Sequence, residues 1–167
     1  SAILITDMNA KVVEYSNQFA KLLGYSLKED KDIYVYDFEY IHSKEQINAN
    51  IKNVTDKPIS FETKFKTKDG RFIDVINQIV KISIDSKDYI YSSISDITQQ
   101  KLLLRKTKEQ KEKFETIFHY AQDGIAITDL EGNFMNVNPA FTRLTGYSEE
   151  KLLNLNLNKL ISPEYIK

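Results

Sequence analysis

Short apolar runs alternate with polar turns at the start of this chain, which is the pattern of a β-hairpin. The runs 2–6 and 11–15 flank the turn Asp7-Met8-Asn9-Ala10. Within this turn Asn9 is the residue best able to adopt a positive φ, so we expect it in the left-handed position.

The segment that follows changes to helical periodicity. Ser16 or Asn17 is expected to cap the helix, because both side chains can accept from free N–H groups in the first turn. The apolar residues on one face of this helix are Phe19, Leu22 and Leu23. Gly24 is expected to end the helix and Ser26 to begin another short one.

The middle of the chain predicts one more helix and then three strands. Ser43 is a plausible cap for a helix that runs to about Val54. Beyond Pro58, three runs are strand-like: 59–67, 72–84 and 89–97. The turns between them are Lys68-Asp69-Gly70-Arg71 and Asp85-Ser86-Lys87-Asp88. Two strands, several helices and three strands indicate an α+β fold with one antiparallel sheet and the helices on one face.

Residues 98–120 contain no glycine or proline and are rich in Lys, Glu and Gln, so they predict one long helix. Residues at alternating spacings of four and three form a possible coiled-coil seam: Leu103, Thr107, Gln110, Phe114, Ile117 and Ala121. We predict a homodimer with Leu103, Phe114 and Ile117 in its interface. The alternative is a solvated spacer helix whose residues 102–104 pack on the preceding domain.

The opening of the chain reappears 122 residues later without a gap. Ile3-Leu4-Ile5-Thr6-Asp7 returns as Ile125-Ala126-Ile127-Thr128-Asp129, and Leu22-Leu23-Gly24-Tyr25-Ser26 returns as Leu144-Thr145-Gly146-Tyr147-Ser148. A period this long indicates tandem copies of a domain. We therefore expect a complete domain over residues 1–97, a helical connector over 98–121 and the first half of a second domain over 122–167.

The repeat, the order of the elements and three short motifs resemble the PAS sensor domain family. The motifs are Asn138-Pro139-Ala140-Phe141, the two Gly-Tyr-Ser helix ends, and Asp96-Ile97-Thr98 at the end of the last strand. Ile41-His42 stands where many members carry a His-Pro-Glu-Asp stretch. The resemblance covers residues 1–98 and about 113–167.

This resemblance implies a five-stranded antiparallel sheet that encloses a small cavity with its helices. It also implies a part of a multidomain, bacterial signalling protein that passes a signal through Asp96, Ile97 and Thr98 to an output domain, commonly a histidine kinase of a two-component system or a diguanylate cyclase of cyclic di-GMP signalling. The alternative is a purely structural tandem that sets dimerisation and spacing and binds no ligand. The fragment itself shows no nucleophile–base pair, so we expect no enzyme activity within it.

Composition narrows the chemistry further. The chain has no cysteine and no tryptophan, and its net charge is −1. Covalent flavin and conventional zinc chemistry are therefore disfavoured, and no global field attracts nucleic acid. Haem is disfavoured because the helix after Ser43 lacks the histidine that haem-binding members use; Asn48 and Asn50 stand there instead. His42 is interpreted as a cap or surface residue and His119 as an ordinary helical position.

An unidentified small molecule remains possible as a ligand of the first domain. The candidate lining residues are Phe19, Leu22, Ile47, Ile51, Phe61, Phe65, Val75, Asn77, Tyr91 and Ser93. Asn77 and Ser93 are the strongest candidates, because a polar group that faces the core needs a partner. No run approaches the roughly twenty apolar residues of a membrane span, so a cytoplasmic protein without direct membrane contact is expected.

Overall fold

Five antiparallel strands in the order β2-β1-β5-β4-β3 form the sheet of the N-terminal part. In the computed structural model, which describes residues 1–26 and 32–160, these strands are β1 Ala2–Asp7, β2 Val12–Tyr15, β3 Ile59–Lys66, β4 Phe72–Ile84 and β5 Lys87–Asp96. The helices between β2 and β3 are α1 Asn17–Leu23, α2 Val35–Phe38 and α3 Lys44–Lys52. The predicted α+β fold is confirmed, although the sequence left α2 unassigned.

The chain divides into two compact units, residues 1–103 and 104–167. The long helix α4, Thr98–Tyr120, matches the predicted helix in both bounds. The elements after it are β6 Ala126–Thr128, β7 Phe134–Val137, α5 Pro139–Thr145, α6 Glu149–Leu153 and a 3₁₀ helix, Leu157–Lys159. In the described residues of the second unit, β6 and β7 form a two-stranded sheet.

Capping residues begin and end the helices as predicted. Ser16, rather than Asn17, caps α1, and Gly24 ends it in the left-handed region. Ser43 caps α3 and forms a capping box with Gln46, whose side chain accepts from the Ser43 N–H. The helix expected after Ser26 lies outside the described residues.

Two turns differ from the sequence-based expectation. In the first hairpin Ala10, not Asn9, has the positive φ, at 65°. The Asp7 carboxylate accepts from the N–H groups of both Asn9 and Lys11, which places the left-handed residue fourth in the turn. In the last hairpin Asp85 and Ser86 alone form the turn, both with positive φ, so β5 begins at Lys87.

Aromatic rings fill one end of the core between the sheet and its helices. The ring centroid of Phe19, which is fully buried, lies 5.4 Å from those of Tyr15 and Phe38, and Phe38 lies 5.0 Å from Phe65. These edge-to-face and tilted contacts are favourable geometries for aromatic pairs. They leave the other end of the helix–sheet interface to smaller aliphatic side chains.

Candidate functional site

A cavity of about 380 Å³ lies between the sheet and the α2–α3 segment of the first unit. Its lining is mainly apolar, with a few polar groups. The lining residues are Leu4, Thr6, Val35, Phe38, Glu39, His42, Ile47, Asn50, Ile51, Asn53, Val54, Ile59, Phe61, Glu62, Phe65, Asn77, Ile79, Ile90 and Ser92. A mostly apolar enclosure with a few placed polar groups is typical of a small-molecule site.

Strand register decides which side chains form the floor of this cavity. Ser92 of β5 lies opposite Leu4 of β1 and Ile79 of β4. Directly opposed residues of antiparallel strands share a face of the sheet. The floor therefore consists of every second residue on each strand, including Asn77 and Ile90.

Five of the predicted lining residues reach the cavity and five do not. Those that line it are Ile47, Ile51, Phe61, Phe65 and Asn77. Phe19 and Val75 are instead fully buried in the main core, with Leu22 packed against it. For these three, the apolar face was predicted correctly, but the aromatic cluster fills the space beside them.

Tyr91 and Ser93 lie on the opposite face of the sheet, so their placement in the cavity was wrong. The pairing of Ile79 with Ser92 and of Val80 with Tyr91 puts the even-numbered residues of β5 on the cavity face. The length of the turn could have predicted this face. When a hairpin loop has an even number of residues, each odd-numbered residue of one strand pairs with an even-numbered residue of the other, so Asn77 and Ile79 share their face with Ser92. Ser92, buried and on the floor, is the residue that sequence reasoning missed by one position.

Asn77 is the most informative polar group of the floor. Its residue surface is 9% exposed, and its carboxamide oxygen has no hydrogen-bond partner in the described part of the chain. Leaving a buried acceptor unpaired costs about 1–3 kcal/mol. Asn77 lines the cavity, but this oxygen itself is buried and is not open to the cavity.

Glu39 is a nearly buried carboxylate in the cavity wall, and its side chain is only 6% exposed. One of its oxygens accepts from the Thr63 hydroxyl at 2.7 Å and from the Ile41 N–H at 2.8 Å. The other accepts from His42 Nδ1 at 2.8 Å and from the His42 N–H at 3.3 Å. These four contacts satisfy the carboxylate, which is the condition for burying a charge at tolerable cost.

His42 was interpreted as a cap or surface residue; it does not cap α3, and its side chain is 33% exposed. Ser43 caps α3, while His42 lines the cavity and is bonded to Glu39. No sequence motif predicts the contact between His42 and Glu39, because it depends on a bend of the chain after α2. Asn50 lines the cavity and Asn48 does not.

A second recess, of about 730 Å³, lies in the second unit between the C-terminal turns of α4 and the segment of β7, α5 and α6. It is wide open, and His119 is one of its exposed lining residues. Among the described residues, no group of three or more His, Asp or Glu side chains has the arrangement of a metal site. The enclosed cavity of the first unit is therefore the stronger candidate site.

The end of β5 is joined directly to α4 by Asp96, Ile97 and Thr98. The Asp96 carboxylate accepts from the Thr98 N–H at 2.8 Å, while Ile97 is buried. The Thr98 hydroxyl accepts from the Asp74 N–H of β4 at 2.9 Å. The Ile97 N–H also donates to the Asp74 carbonyl, so the joint is fastened to the neighbouring strand.

Lys101, in the first turns of α4, forms further contacts between this helix and the sheet. Its ammonium lies 2.6 Å from Glu62 of β3 and 3.5 Å from Asp74 of β4. The hydrogen bond to Glu62 raises the pKa of Lys101 above its ordinary value. Glu62 is also among the residues at the cavity, although its side chain lies on the other face of β3, opposite Ile76.

The residues predicted for a dimer interface are all exposed in the single chain: Leu103 by 55%, Phe114 by 49% and Ile117 by 58%. In the same helix, ion pairs at a spacing of four residues join Arg105 to Glu109 and Lys108 to Glu112.

Among the helices that the structure describes, none combines the length and apolar character needed to cross a bilayer.

Comparisons with known proteins identify both halves of the chain. Residues 1–99 match the profile of the PAS domain, and residues 112–166 match the profile of the PAS fold. Sporulation kinase E of Bacillus subtilis (strain 168) is 24% identical over 160 residues, which are 96% of this chain and 22% of that protein. The sensor histidine kinase TmoS of Ectopseudomonas mendocina is 37% identical over 51 residues, 30% of this chain and 5% of that protein. The chain thus spans less than a quarter of the length of either relative.

Solved structures share the fold. The PAS domain of an HTR-like protein from Haloarcula marismortui superposes with a TM-score of 0.54 at 20% identity, over 57% of this chain and 80% of that one. The PAS-B domain of Drosophila melanogaster Cycle, with bound ethylene glycol, gives a TM-score of 0.50 at 15% identity, over 57% and 99% of the two chains. Since a family profile covers more than half of its residues, this chain belongs to the PAS domain family.

Proposed function

We propose that this chain is the sensing and relay part of a longer signalling protein. A small molecule in the cavity of the first module changes the geometry of α4, which transmits the change onward. One observation carries the proposal: β5 contributes Ile90 and Ser92 to the cavity and then continues through Asp96, Ile97 and Thr98 into α4.

The polar contacts between the start of α4 and the sheet support this path of signal transmission. A ligand that displaces β5 or the rim residue Glu62 must also strain the bonds of Thr98 to Asp74 or of Lys101 to Glu62. A ligand shifts an equilibrium only by its difference in affinity for the two states. These few polar contacts at the start of α4 are suitable elements on which a modest binding energy can act.

The output domain lies outside this chain in our proposal, and the fragment itself has no enzyme activity. Both curated relatives are named as kinases, which favours a histidine kinase over a diguanylate cyclase as the output. We place the protein in the cytoplasm. We also propose that it holds neither haem nor flavin, so that the purified protein is colourless.

A homodimer formed through α4 would let the change in helix geometry reach the output domains as a pair. The exposed Phe114 and Ile117 side chains support this contact. Replacing both with Asp should give monomers in sedimentation experiments, because each charge would then face an apolar seam. The matched control is Thr116→Asp with His119→Asp, on the opposite side of the helix, which should leave the dimer intact. Unchanged sedimentation of the first variant would place the interface elsewhere.

Native mass spectrometry of the full 167-residue chain tests ligand sensing and dimer formation together. The freshly purified protein should retain a small molecule, and Ser92→Leu should lose it because the larger side chain occupies the floor of the cavity. Ser93→Leu is the control, since Ser93 lies on the other face of the same strand. If all three proteins are dimers without a bound molecule, and none gains thermal stability from a small-molecule library, the tandem is structural and senses nothing.

A further inference from the structure

We propose that the edge strand β3 is a second path from the cavity to α4, separate from β5, and that Lys101 is the residue of α4 that responds to it through its ion pair with Glu62. This inference rests on the proposed relay function of the same module. It adds a second strand that carries the signal and a positioning residue that receives it.

Strand β3 borders the cavity more extensively than β5 does. Its side chains Ile59, Phe61 and Phe65 line the cavity, whereas β5 contributes Ile90 and Ser92. A ligand that fills this cavity would therefore contact β3 at more positions than β5.

The position of β3 in the sheet makes it easier to displace than β5. Among the strands that the structure describes, β5 is paired on both sides, whereas β3 is paired only with β4. Along its other edge β3 has short contacts with the chain after α2: the Tyr40 N–H donates to the Lys64 carbonyl, and the Thr63 hydroxyl donates to Glu39. Because fewer backbone hydrogen bonds hold an edge strand than a central one, its local opening costs less free energy.

Consecutive residues of β3 lie on opposite faces of the sheet. Phe61 lies opposite Asn77 on the cavity face, while Glu62 lies opposite Ile76 on the outer face. Since the two residues share one extended backbone, a shift of the strand at Phe61 also moves Glu62. The Glu62 carboxylate is therefore displaced without itself contacting a ligand.

Lys101 connects this carboxylate to the first turns of α4. Its ammonium lies 2.6 Å from Glu62 and 3.5 Å from Asp74, and the hydrogen bond that it donates to Glu62 is the main cause of its raised pKa. Both side chains of the Glu62–Lys101 pair are about half exposed, so the pair is easily broken. Such a contact can respond to a displacement of β3 without holding the strand against it.

A double-mutant cycle on the full chain tests this path, with Phe61→Leu as the change on the cavity face. Phe61 is only partly buried, so a shorter apolar side chain should keep the fold while it changes the packing of β3; Phe61→Met is a second, milder change. We expect Phe61→Leu to move the amide NMR shifts of residues 99–103. In the Glu62→Gln background the same change should move them at most about half as much, because the neutral amide no longer holds Lys101.

The cycle also removes the direct effect of the lost aromatic ring on these shifts, which is the same in both backgrounds. Asp74→Asn is the matched control for loss of a carboxylate. It removes the more distant partner of Lys101 and should keep the response to Phe61→Leu, because the backbone bonds of residue 74 to Ile97 and Thr98 remain.

Ser92→Ala is the control for the path through β5. It changes the floor of the cavity on the strand that continues directly into α4. Its effect on residues 99–103 should therefore be equal in the natural and the Glu62→Gln backgrounds.

The pKa of Lys101 gives an independent readout, measured from the 13Cε shift of its side chain. Glu62→Gln should lower this pKa toward its ordinary value, and Asp74→Asn should lower it less, because Glu62 is the nearer carboxylate. In about 1 M salt, where the Debye length is about 3 Å, the response of residues 99–103 to Phe61→Leu should fall as it does in Glu62→Gln.

The proposal is overturned if Phe61→Leu leaves residues 99–103 unchanged, or if its effect is the same in the natural and the Glu62→Gln backgrounds. It is also overturned if Asp74→Asn alone removes the response, since β4 would then be the path. If Ser92→Ala still moves residues 99–103 in these cases, the relay through β5 stands and only the second path is wrong. If neither cavity substitution moves them, the relay and the second path both fail.

Discussion

In both copies of the repeat, one polar side chain ties the first strand to the first helix. Ser16 accepts from the N–H groups of Ile3 and Phe19, at 2.9 and 3.3 Å. Asn138, its equivalent 122 residues later, accepts from Ile125 and Phe141, both at 2.8 Å. The correspondence extends past the similar sequences, because Val35 donates to the Ala10 carbonyl as Leu157 donates to that of Gly132.

The two copies bury these elements to different depths. Leu4 and Phe19 are almost inaccessible in the first copy, whereas Phe141 is only partly buried in the second. In the first copy β5 pairs with the whole of β1. In the described residues of the second copy, β6 has only β7 as a neighbour. Local hydrogen bonds therefore suffice to shape the opening half of the fold, while its burial depends on the last three strands.

The largest expected difference is in amide hydrogen exchange. In dilute monomeric protein, protection at residues 125–128 should be at least about 1,000-fold lower than at residues 75–79, because a two-stranded ribbon is marginal and central strands open only with the whole domain. Equal protection would show that the half-module folds unaided and that the comparison is wrong.

Removing the equivalent aromatic side chain from each copy should show that the two cores contribute independently to stability. Phe19→Ala should lower the stability of the first module by about 3–5 kcal/mol, since a fully buried ring leaves a cavity. Phe141→Ala should leave the stability of that module within about 0.5 kcal/mol, because Phe141 belongs to the other compact unit and effects at independent sites add. Urea unfolding followed by NMR signals of β4 measures both. A similar loss from the two variants would mean that the modules unfold together.

Loss of the two helix N-caps should produce a smaller difference in stability between the copies. Ser16→Ala should cost about 1 kcal/mol and Asn138→Ala about 2 kcal/mol, because Asn138 is fully buried and also donates to the Asp123 carbonyl at 2.9 Å. The 13Cα shifts of α1 and α5 report the helix populations. Asn138→Ser is the control: it keeps an acceptor and should restore part of the α5 signal. An unaffected α5 in Asn138→Ala would show that packing, not the cap, holds this helix.

The smallest effects concern the left-handed residue of the first turn in each copy. Gly132→Ala should cost about 1–2 kcal/mol, as its φ is 84° and the added Cβ would lie 3.3 Å from the Asn156 amide. Ala10→Gly should change stability by less than about 1 kcal/mol, because relief of the positive φ is offset by a lost buried methyl group and a more flexible unfolded chain. Clear stabilisation by Ala10→Gly would show that strain dominates at this position.

Much of the architecture follows from local chemistry, so it could be predicted. Capping serines, helix-ending glycines and an uninterrupted run of helix formers act within a few residues, and the bounds of β4 and α4 agree with the prediction. The repeat and its motifs indicated the PAS family before any geometry was known. Asn77 was assigned to the correct face because β4 alternates regularly along its first half.

Tertiary structure decided the details of the candidate site. The cavity face of β5 depends on its pairing with β4, so Ser92 replaced Ser93 by a shift of one position. The burial of Glu39 depends on Thr63 and His42, which meet it only after the chain bends over the sheet. Apolar periodicity reports which residues avoid water, whereas a binding site depends on which polar groups are brought together, and that is set by contacts between residues far apart in the chain.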